Sequence, residues 1–187
     1  IDGLILTHFD NDHAGGAACL LSRIPADMIF VPDYDDESGV RALLEEAYAD
    51  RLYPVNEDVL LTYGETEISL FSPVVPDSGN ESSLAVLFEC KNCDILITGD
   101  ATKQAERRMM ERVDLPYVDV LIAGHHGDEN STSWELLQEV SPNTVLISVG
   151  QDNRFGHPEA ELLDRLNRFG CEVYRTDQCG TITYKGE

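Results

Sequence analysis

Four side chains that commonly bind metal ions fall within six residues near the start of the chain. They are the imidazoles of His8 and His13 and the carboxylates of Asp10 and Asp12, in the run HFDNDH. Imidazole and carboxylate ligands together suit zinc, manganese or iron. The apolar run before the motif predicts a strand, and Gly15-Gly16 after it permits a close turn, so the four side chains can gather around one point. The ordinary alternative is a polar turn in which Asp12 caps a helix.

Three further motifs place polar side chains at the ends of apolar runs. Asp100 follows ILITG and is a candidate metal ligand. The alternative is that its carboxylate serves an ordinary turn or caps a helix. His125 and His126 follow VLIAG, and we expect only one of these adjacent imidazoles to be a ligand. His157 precedes Pro158 at a predicted helix start. Because all five histidines of the chain follow strands or precede helices, the joint pattern favours a metal-dependent hydrolase over scattered structural histidines.

The elements that must position these motifs are strands and helices in mixed order. The predicted strands are 4–7, 28–31, 68–71, 84–88, 95–98, 118–123, 145–149, 173–175 and 181–184, and the predicted helices are 15–22, 38–51, 102–112, 133–140 and 158–169. This mixture predicts an α+β fold, with helices packed outside sheets, in a single domain over residues 1–187. The CKNC run at Cys90–Cys93 lies between two apolar runs, which favours a hairpin turn over a zinc or redox pair.

Composition limits the class of protein. The 187 residues include 35 acidic and 13 basic side chains, for a formal net charge of −22, and 20 of the acidic residues lie in residues 1–100. A hydrophobic content of 42% is too high for a disordered acidic tail, and no apolar run approaches the roughly 18 residues of a membrane span. The charge argues against tight, metal-independent binding of nucleic acid. We expect substrate phosphates to approach through the metals or from the predicted helix that carries Lys103, Arg107, Arg108 and Arg112.

Together these motifs resemble those of a known family. HFDNDHAGG is similar to the HxHxDH motif of metallo-β-lactamase-fold hydrolases, with Asp10 in place of the second histidine. This HxDxDHxGG form resembles the hydrolase domain of ComEC-type competence (DNA-uptake) proteins. So do the Asn80…Ser83-Leu84 segment, ILITGD, GHHG and NRFGHP, and the order and spacing agree from residue 4 to about 184. GHHG together with NxxGHP is far more specific than HxDxDH alone.

The resemblance implies a four-layer αββα sandwich with two divalent ions, zinc or manganese, at one edge. It implies these metal ligands: His8 and Asp10 for one ion, Asp12, His13 and His125 for the other, and Asp100 bridging the two. The family's third-motif histidine has no match here, since the polar loop at 80–83 stands in that stretch. The strands that precede the first motif in the family do not precede Ile1, so we expect this chain to be part of a longer polypeptide.

For the chemistry, the resemblance implies hydrolysis of a phosphodiester between two metal ions. Asp12 would orient the attacking water or take its proton, and His157 would protonate the leaving group or, equally, orient a metal ligand. Ser83 and Asn153 are candidates to contact phosphoryl oxygens. His126 is expected to contact substrate or support a ligand.

The resemblance further implies a role in DNA uptake, in which one strand is degraded while the other crosses the membrane. The expected partners are single-stranded DNA as substrate, the membrane-channel portion of the same polypeptide and other DNA-uptake proteins. The domain would then be a soluble extracytoplasmic part of a membrane protein, with a cytoplasmic location as the alternative. A stand-alone hydrolase of a small phosphodiester or other ester is the second hypothesis. A metal-free binding module is the third, and the intact ligand set argues against it.

Overall fold

The computed structural model describes residues 1–73 and 79–185, in which ten strands and seven α-helices are found. The strands are β1 (Gly3–Ile5), β2 (Met28–Pro32), β3 (Leu52–Val55), β4 (Val59–Tyr63), β5 (Thr66–Phe71), β6 (Ala85–Cys90), β7 (Cys93–Ile97), β8 (Val120–Ile122), β9 (Thr144–Ile147) and β10 (Glu172–Arg175). The helices are α1 (Asn11–Ala14), α2 (Ala17–Leu21), α3 (Val40–Tyr48), α4 (Lys103–Met110), α5 (Trp134–Val140), α6 (Ala160–Phe169) and α7 (Thr176–Cys179). Two short 3₁₀ segments span Asn80–Ser82 and Gly124–Gly127.

The strands form two sheets. The smaller sheet is parallel, in the order β1-β2-β3. The larger sheet has the order β10-β9-β8-β7-β6-β5-β4, in which β4 to β7 run antiparallel and β7 to β10 run parallel. Three apolar clusters hold these sheets and the helices together in four layers.

The alternating residues of the strands separate the layers. In β2, Ile29 and Val31 pack with the helices of the first half of the chain, whereas Phe30 packs in the cluster between the sheets. In β7, Leu96 packs against the later helices and Ile97 lies in the cluster between the sheets. Because successive side chains of a strand point to opposite faces, each sheet is covered on both sides. The predicted αββα sandwich is confirmed.

The topology brings the predicted motifs to one edge. Strands β7, β8 and β9 are parallel neighbours, so the segments that follow them leave the sheet on the same side. The smaller sheet joins this edge through a hydrogen bond from the Leu84 N–H to the Thr7 carbonyl (2.8 Å). A Cβ on Gly99 would stand 2.8 Å from the Thr7 Cβ, so only glycine permits this approach of the two sheets.

Some predicted elements differ from the structure. The helix predicted at 15–22 corresponds to α2 (Ala17–Leu21), whereas α1 (Asn11–Ala14) and strands β3 and β4 were not predicted. Strand β3 contains Pro54 and lies at the edge of its sheet, where the missing N–H is tolerated. The strand predicted at 181–184 is wrong, because the chain turns into α7 after β10 and three of these four residues are exposed.

The predicted hairpin at Cys90 and Cys93 is confirmed. These two residues are cross-strand partners at the ends of β6 and β7, and Lys91-Asn92 forms the turn between them. All five cysteines carry free thiols in the structure. Within the described residues, no helix has the length and apolarity needed to cross a membrane.

Two buried charged side chains hold the loop between β8 and α5. The Glu106 carboxylate, on α4, accepts the N–H groups of Thr132 (2.6 Å) and Ser133 (2.8 Å). Arg165, on α6, donates to the Thr132 carbonyl (3.0 Å) and to two other carbonyls of the loop. Because the Thr132 hydroxyl accepts the Gly124 N–H (2.9 Å), this clamp reaches the start of the GHHG motif.

Burial raises the pKa of Glu106 to about 7, against the opposing effect of the hydrogen bonds from the loop and the charge of Arg165. The folded-state pKa thus lies above the ordinary value of 4.5. Between these two values the folded protein binds more protons than the unfolded chain. The contribution of this group to stability is therefore complete below about pH 4.5 and is lost as pH rises through 7.

We predict that Glu106→Gln removes this pH dependence. Relative to the variant, the wild type should lose up to about 3 kcal/mol of its free energy of unfolding between pH 5 and pH 8. Urea denaturation in EDTA at several pH values measures this difference. Glu111→Gln, at the exposed end of the same helix, should give a difference that does not change with pH. A constant difference for Glu106→Gln would contradict the prediction.

Candidate metal centre

The first motif follows β1 and continues into α1, and neither of its carboxylates caps that helix. The N-cap position belongs to Asp10 rather than Asp12, and the Asp10 side chain makes no capping hydrogen bond. The Asp10 backbone carbonyl instead accepts the His13 N–H (2.9 Å). Buried Phe9 packs edge-on against Tyr34, whose hydroxyl accepts the Phe9 N–H (3.2 Å). This contact fixes the backbone between the first two candidate ligands.

His8 is completely buried, and its Nε2 atom makes no hydrogen bond within the described part of the chain. This nitrogen lies 3.6 Å from Asp100 Oδ2 and 3.9 Å from Asp10 Oδ2. A buried polar atom without a partner is costly, unless a ligand completes its bonding. The donor set of one imidazole and two carboxylates fits a divalent metal ion, so the residues present are compatible with metal binding.

The Asp100 carboxylate lies at the centre of the site and is 3% exposed. Four imidazole Nε2 atoms surround it: His13 at 3.2 Å from Oδ1, and His8, His125 and His126 at 3.6, 3.7 and 4.0 Å from Oδ2. One buried carboxylate facing four imidazole nitrogens is an arrangement suited to cations placed between them. The two carboxylate oxygens face different histidines, as a bridging ligand requires.

The GHHG motif reaches Asp100 through an unusual backbone. His125 (φ 50°, ψ 47°) and His126 (φ 55°, ψ 17°) are both left-handed, a conformation that costs roughly 1–2 kcal/mol per non-glycine residue. The His125 N–H donates to the Gly99 carbonyl (3.1 Å), which ties this turn to the loop that carries Asp100. The sequence led us to expect only one of the two histidines to be a ligand, but the structure brings both imidazoles to Asp100.

His126 has the bonding pattern of a metal ligand. Its Nδ1 lies 2.8 Å from the Ser148 carbonyl, to which it must donate, so Nε2 carries the lone pair. That Nε2 atom lies 3.1 Å from His13 Nε2 and 3.2 Å from Asp12 Oδ2. Asp12, His13 and His126 therefore offer three ligand atoms within 4.8 Å of one another. The Ser148 contact could not be predicted from residue types, because it is made by a backbone carbonyl.

His125 extends the site toward the predicted substrate residues. Its Nδ1 lies 3.3 Å from the Asn80 amide, in the loop that replaces the third motif of the family. His157, whose ring centroid lies 5.6 Å from that of His125, is almost buried, and its Nδ1 has no hydrogen-bond partner within residues 1–73 and 79–185. His125, Asp128 and His157 form another group of potential ligands.

Ser83 and Asn153 are used within the protein. The Ser83 hydroxyl accepts the Asp100 N–H (3.2 Å), and Ser83 is buried. The Asn153 amide donates to the carbonyls of Gly150 (3.1 Å) and His157 (2.6 Å), and its oxygen accepts two backbone N–H groups of the same turn. Four bonds exhaust the capacity of an asparagine amide. Both side chains thus support Asp100 and His157, and the Asn153 amide has no donor or acceptor left for a substrate.

The pKa shifts agree with this geometry. Burial and the neighbouring His13 lower the pKa of His8, so its imidazole is neutral at pH 7. Burial alone would lower the pKa of His13, but the hydrogen bond to Asp100 and the nearby carboxylates raise it overall. Burial would raise the pKa of Asp100, yet its contacts with His13, His8 and His125 lower it. The centre therefore favours a positive charge beside an ionised Asp100.

The basic residues expected to face the substrate are partly neutralised. Arg108 pairs with Glu81 (3.1 Å), and Arg112 pairs with Asp58 (3.3 Å). Two of the four basic residues expected on the helix predicted at 102–112 are therefore paired with carboxylates.

The fold agrees with comparisons to known proteins. The family model of the metallo-beta-lactamase superfamily matches residues 1–151. The chain belongs to this superfamily.

Relatives of known name are associated with competence and recombination. The chain is 38% identical to ComE operon protein 3 of Bacillus subtilis over 99% of its length, 30% identical to Recombination protein 2 of Haemophilus influenzae over 97%, and 26% identical to Competence protein ComA of Neisseria gonorrhoeae over 98%. It covers 24%, 22% and 25% of those proteins, so the chain spans about a quarter of their length. The resemblance to competence proteins is confirmed.

A solved structure supports the fold. Igni18, described as a novel metallo hydrolase from the archaeon Ignicoccus hospitalis, superposes with a TM-score of 0.64 over 100% of this chain and 80% of its own. At 16% sequence identity, this likeness shows the fold alone.

We predict that the left-handed backbone at His125 has a measurable cost. His125→Ala and His125→Gly both remove the imidazole, but only alanine keeps the Cβ that disfavours φ 50°. The free energy of unfolding in EDTA should therefore be about 1 kcal/mol lower for alanine than for glycine. Ala and Gly at Glu46, an exposed position of helix α3, should show the reverse order. Equal stability of the two His125 variants would contradict a left-handed backbone there.

Proposed function

We propose that this chain is a two-metal phosphodiesterase that degrades single-stranded DNA during uptake. The observation that carries the proposal is the convergence of four imidazoles on one buried carboxylate. The superfamily match and the competence-related relatives support it. We propose hydrolysis rather than binding alone, because the left-handed backbone at His125 and His126 costs folding free energy and such strain clusters at active sites.

We infer two ligand sets that share Asp100. The first is His8, Asp10 and His125: the Nε2 atoms of His8 and His125 lie 3.6 and 3.7 Å from Asp100 Oδ2, and Asp10 Oδ2 lies 3.9 Å from His8 Nε2. The second is Asp12, His13 and His126. This assignment differs from the family-based expectation, which gave His125 to the second ion and left the first without a third ligand. The contacts of His126 with Asp12 and His13 favour it as a ligand of the second ion, so His125 is available to the first. Zinc and manganese both suit this mixture of nitrogen and oxygen ligands.

When bound, two such ions act as Lewis acids on phosphoryl oxygens and lower the pKa of coordinated water. The chain's own groups surround that chemistry. Asp12, whose side chain is 64% exposed, lies at the mouth of the site and orients the attacking water or takes its proton. His157 lies beside Glu159 (3.7 Å) and is placed to donate a proton to the leaving oxygen. Ser83 and Asn153 hold Asp100 and His157 in position.

A cleft of about 370 Å³ opens from the site and is lined by residues that include Asp12, His126 and His157. A single-stranded phosphodiester fits the proposal because the chain's net charge of −22 gives no extended basic track for a duplex. By analogy with the longer competence-related relatives, the partners are the membrane-channel part of the same polypeptide and other DNA-uptake proteins. We propose an extracytoplasmic position for the domain.

The proposal predicts metal-dependent cleavage of single-stranded DNA. With Mn²⁺ or Zn²⁺, the purified chain should cleave an end-labelled oligonucleotide, and EDTA should abolish the cleavage. Asp12→Ala should lower the rate at least about 10²-fold, because a positioned base contributes roughly 10²- to 10⁴-fold. His126→Ala should lower both the rate and the number of ions bound, measured by elemental analysis after desalting.

Glu46→Ala, an exposed carboxylate on helix α3 outside the site, serves as the matched control and should cleave like wild type. Equal cleavage by wild type and Asp12→Ala would contradict the assignment. Absence of cleavage by wild type with two bound ions would contradict the proposed substrate while leaving the metal centre intact.

A further inference from the structure

An exposed phenylalanine stands on the rim of the same cleft. Phe155 is 64% exposed, although it is an apolar side chain between Arg154 and Gly156. The same cleft is lined by Asp12 and His126, which belong to the proposed second ion. A large exposed aromatic residue in a cleft lined by candidate metal ligands suggests contact with a substrate rather than core packing.

The turn that carries Phe155 is rigid. Asn153 accepts the Phe155 N–H (3.2 Å) and the His157 N–H (3.1 Å), and its amide group donates to two carbonyls of the same turn. The exposed ring is therefore presented by a fixed backbone. A pre-organised aromatic side chain loses little conformational entropy when a ligand covers it.

The ring already has a planar neighbour and a cation. Its plane lies 15° from that of the His157 imidazole, with centroids 5.9 Å apart, so the two rings are nearly parallel and offset. The Arg154 guanidinium carbon lies 4.8 Å from the centroid of the phenyl ring. Arginine over an aromatic ring is a favourable cation–π contact, and the guanidinium is also a good phosphate ligand. One element thus combines a stacking surface with a group that recognises phosphate.

We propose that Phe155 is a nucleobase-stacking platform and that Arg154 contacts the adjacent phosphate of a single-stranded nucleic acid. An unpaired base would lie on the phenyl ring beside the metal centre and set which phosphodiester enters it. This inference rests on the proposed function and names the feature by which that site recognises its substrate.

The overall charge gives a physical reason for such a platform. A protein of net charge −22 gains little long-range attraction from a polyanion. Arg108 of helix α4 and Arg112, just after it, are already paired with acidic residues. Base stacking depends on dispersion and desolvation, so it supplies affinity that does not require positive charge. It also selects single strands, because the bases of a duplex are covered by their neighbours.

The test compares two substrates of equal length: oligodeoxythymidylate and a phosphodiester polymer of abasic tetrahydrofuran units. Phe155→Ala should lower kcat/KM for the first roughly 5- to 150-fold, the range that stacking of one base gives. It should leave kcat/KM for the abasic polymer unchanged. Phe155→Trp keeps a planar ring and should retain activity on oligodeoxythymidylate, whereas Phe155→Leu, which is apolar without a ring, should not.

Salt separates the roles of the two residues. The effect of Phe155→Ala should stay constant between 50 and 200 mM salt, and the effect of Arg154→Gln should diminish as salt rises. Tyr117→Ala is the matched control, since Tyr117 is 76% exposed and precedes β8 at the opposite edge of the sheet. It should behave like wild type on both substrates.

Two results would overturn the inference: an equal loss on both substrates for Phe155→Ala, which indicates a structural role, or no loss on either. If wild type cleaves neither substrate, equilibrium binding of an oligonucleotide containing 2-aminopurine still tests the platform. Stacking quenches the fluorescence of this base, and Phe155→Ala should abolish the quenching. Quenching without cleavage would contradict the proposed function and support the platform. Cleavage by wild type with no effect of Phe155→Ala that depends on the bases would support the proposed function and contradict the platform.

Discussion

The interaction on which the rest of the site depends is that of the buried Asp100 carboxylate with the imidazoles around it. A carboxylate that is 3% exposed is stable only when positive charge or hydrogen bonds compensate its desolvation. His8 and His13, from the first motif, and His125 and His126, from the GHHG motif, approach it from two different segments of the chain. Each of these segments leaves the carboxyl end of a strand, so the two sheets must meet at this edge before the centre can exist.

Strained backbone at the GHHG motif and hydrogen bonds from buried residues bring the imidazoles to Asp100. Two successive left-handed histidines turn both rings toward Asp100, which ordinary extended or helical backbone would not do. The start of the turn is held by the Gly99 carbonyl and, through Thr132, by buried Glu106 and Arg165. A packed core far from the chemistry therefore determines where the two imidazoles point.

Much of this arrangement could be predicted from the sequence, and the rest depends on tertiary contacts. The strand ends before His8, Asp100 and His125 are visible as apolar runs that stop at polar residues, and a family resemblance supplied the sandwich. The approach of both His125 and His126 to Asp100 could not be predicted, because it follows from φ values that no residue type at those positions suggests. Edge strands β3 and β4 were not predicted for a related reason, since their half-exposed residues give a weak alternating pattern.

In the proposed centre, the Asp100 carboxylate would be shared by two divalent ions. The most direct measurement is an anomalous difference map, recorded at the manganese absorption edge, from crystals of the Mn²⁺-loaded protein. The account predicts two peaks that flank the Asp100 carboxylate, one in contact with His8, Asp10 and His125 and the other with Asp12, His13 and His126. A single peak, or a peak that Asp100 does not contact, would contradict it.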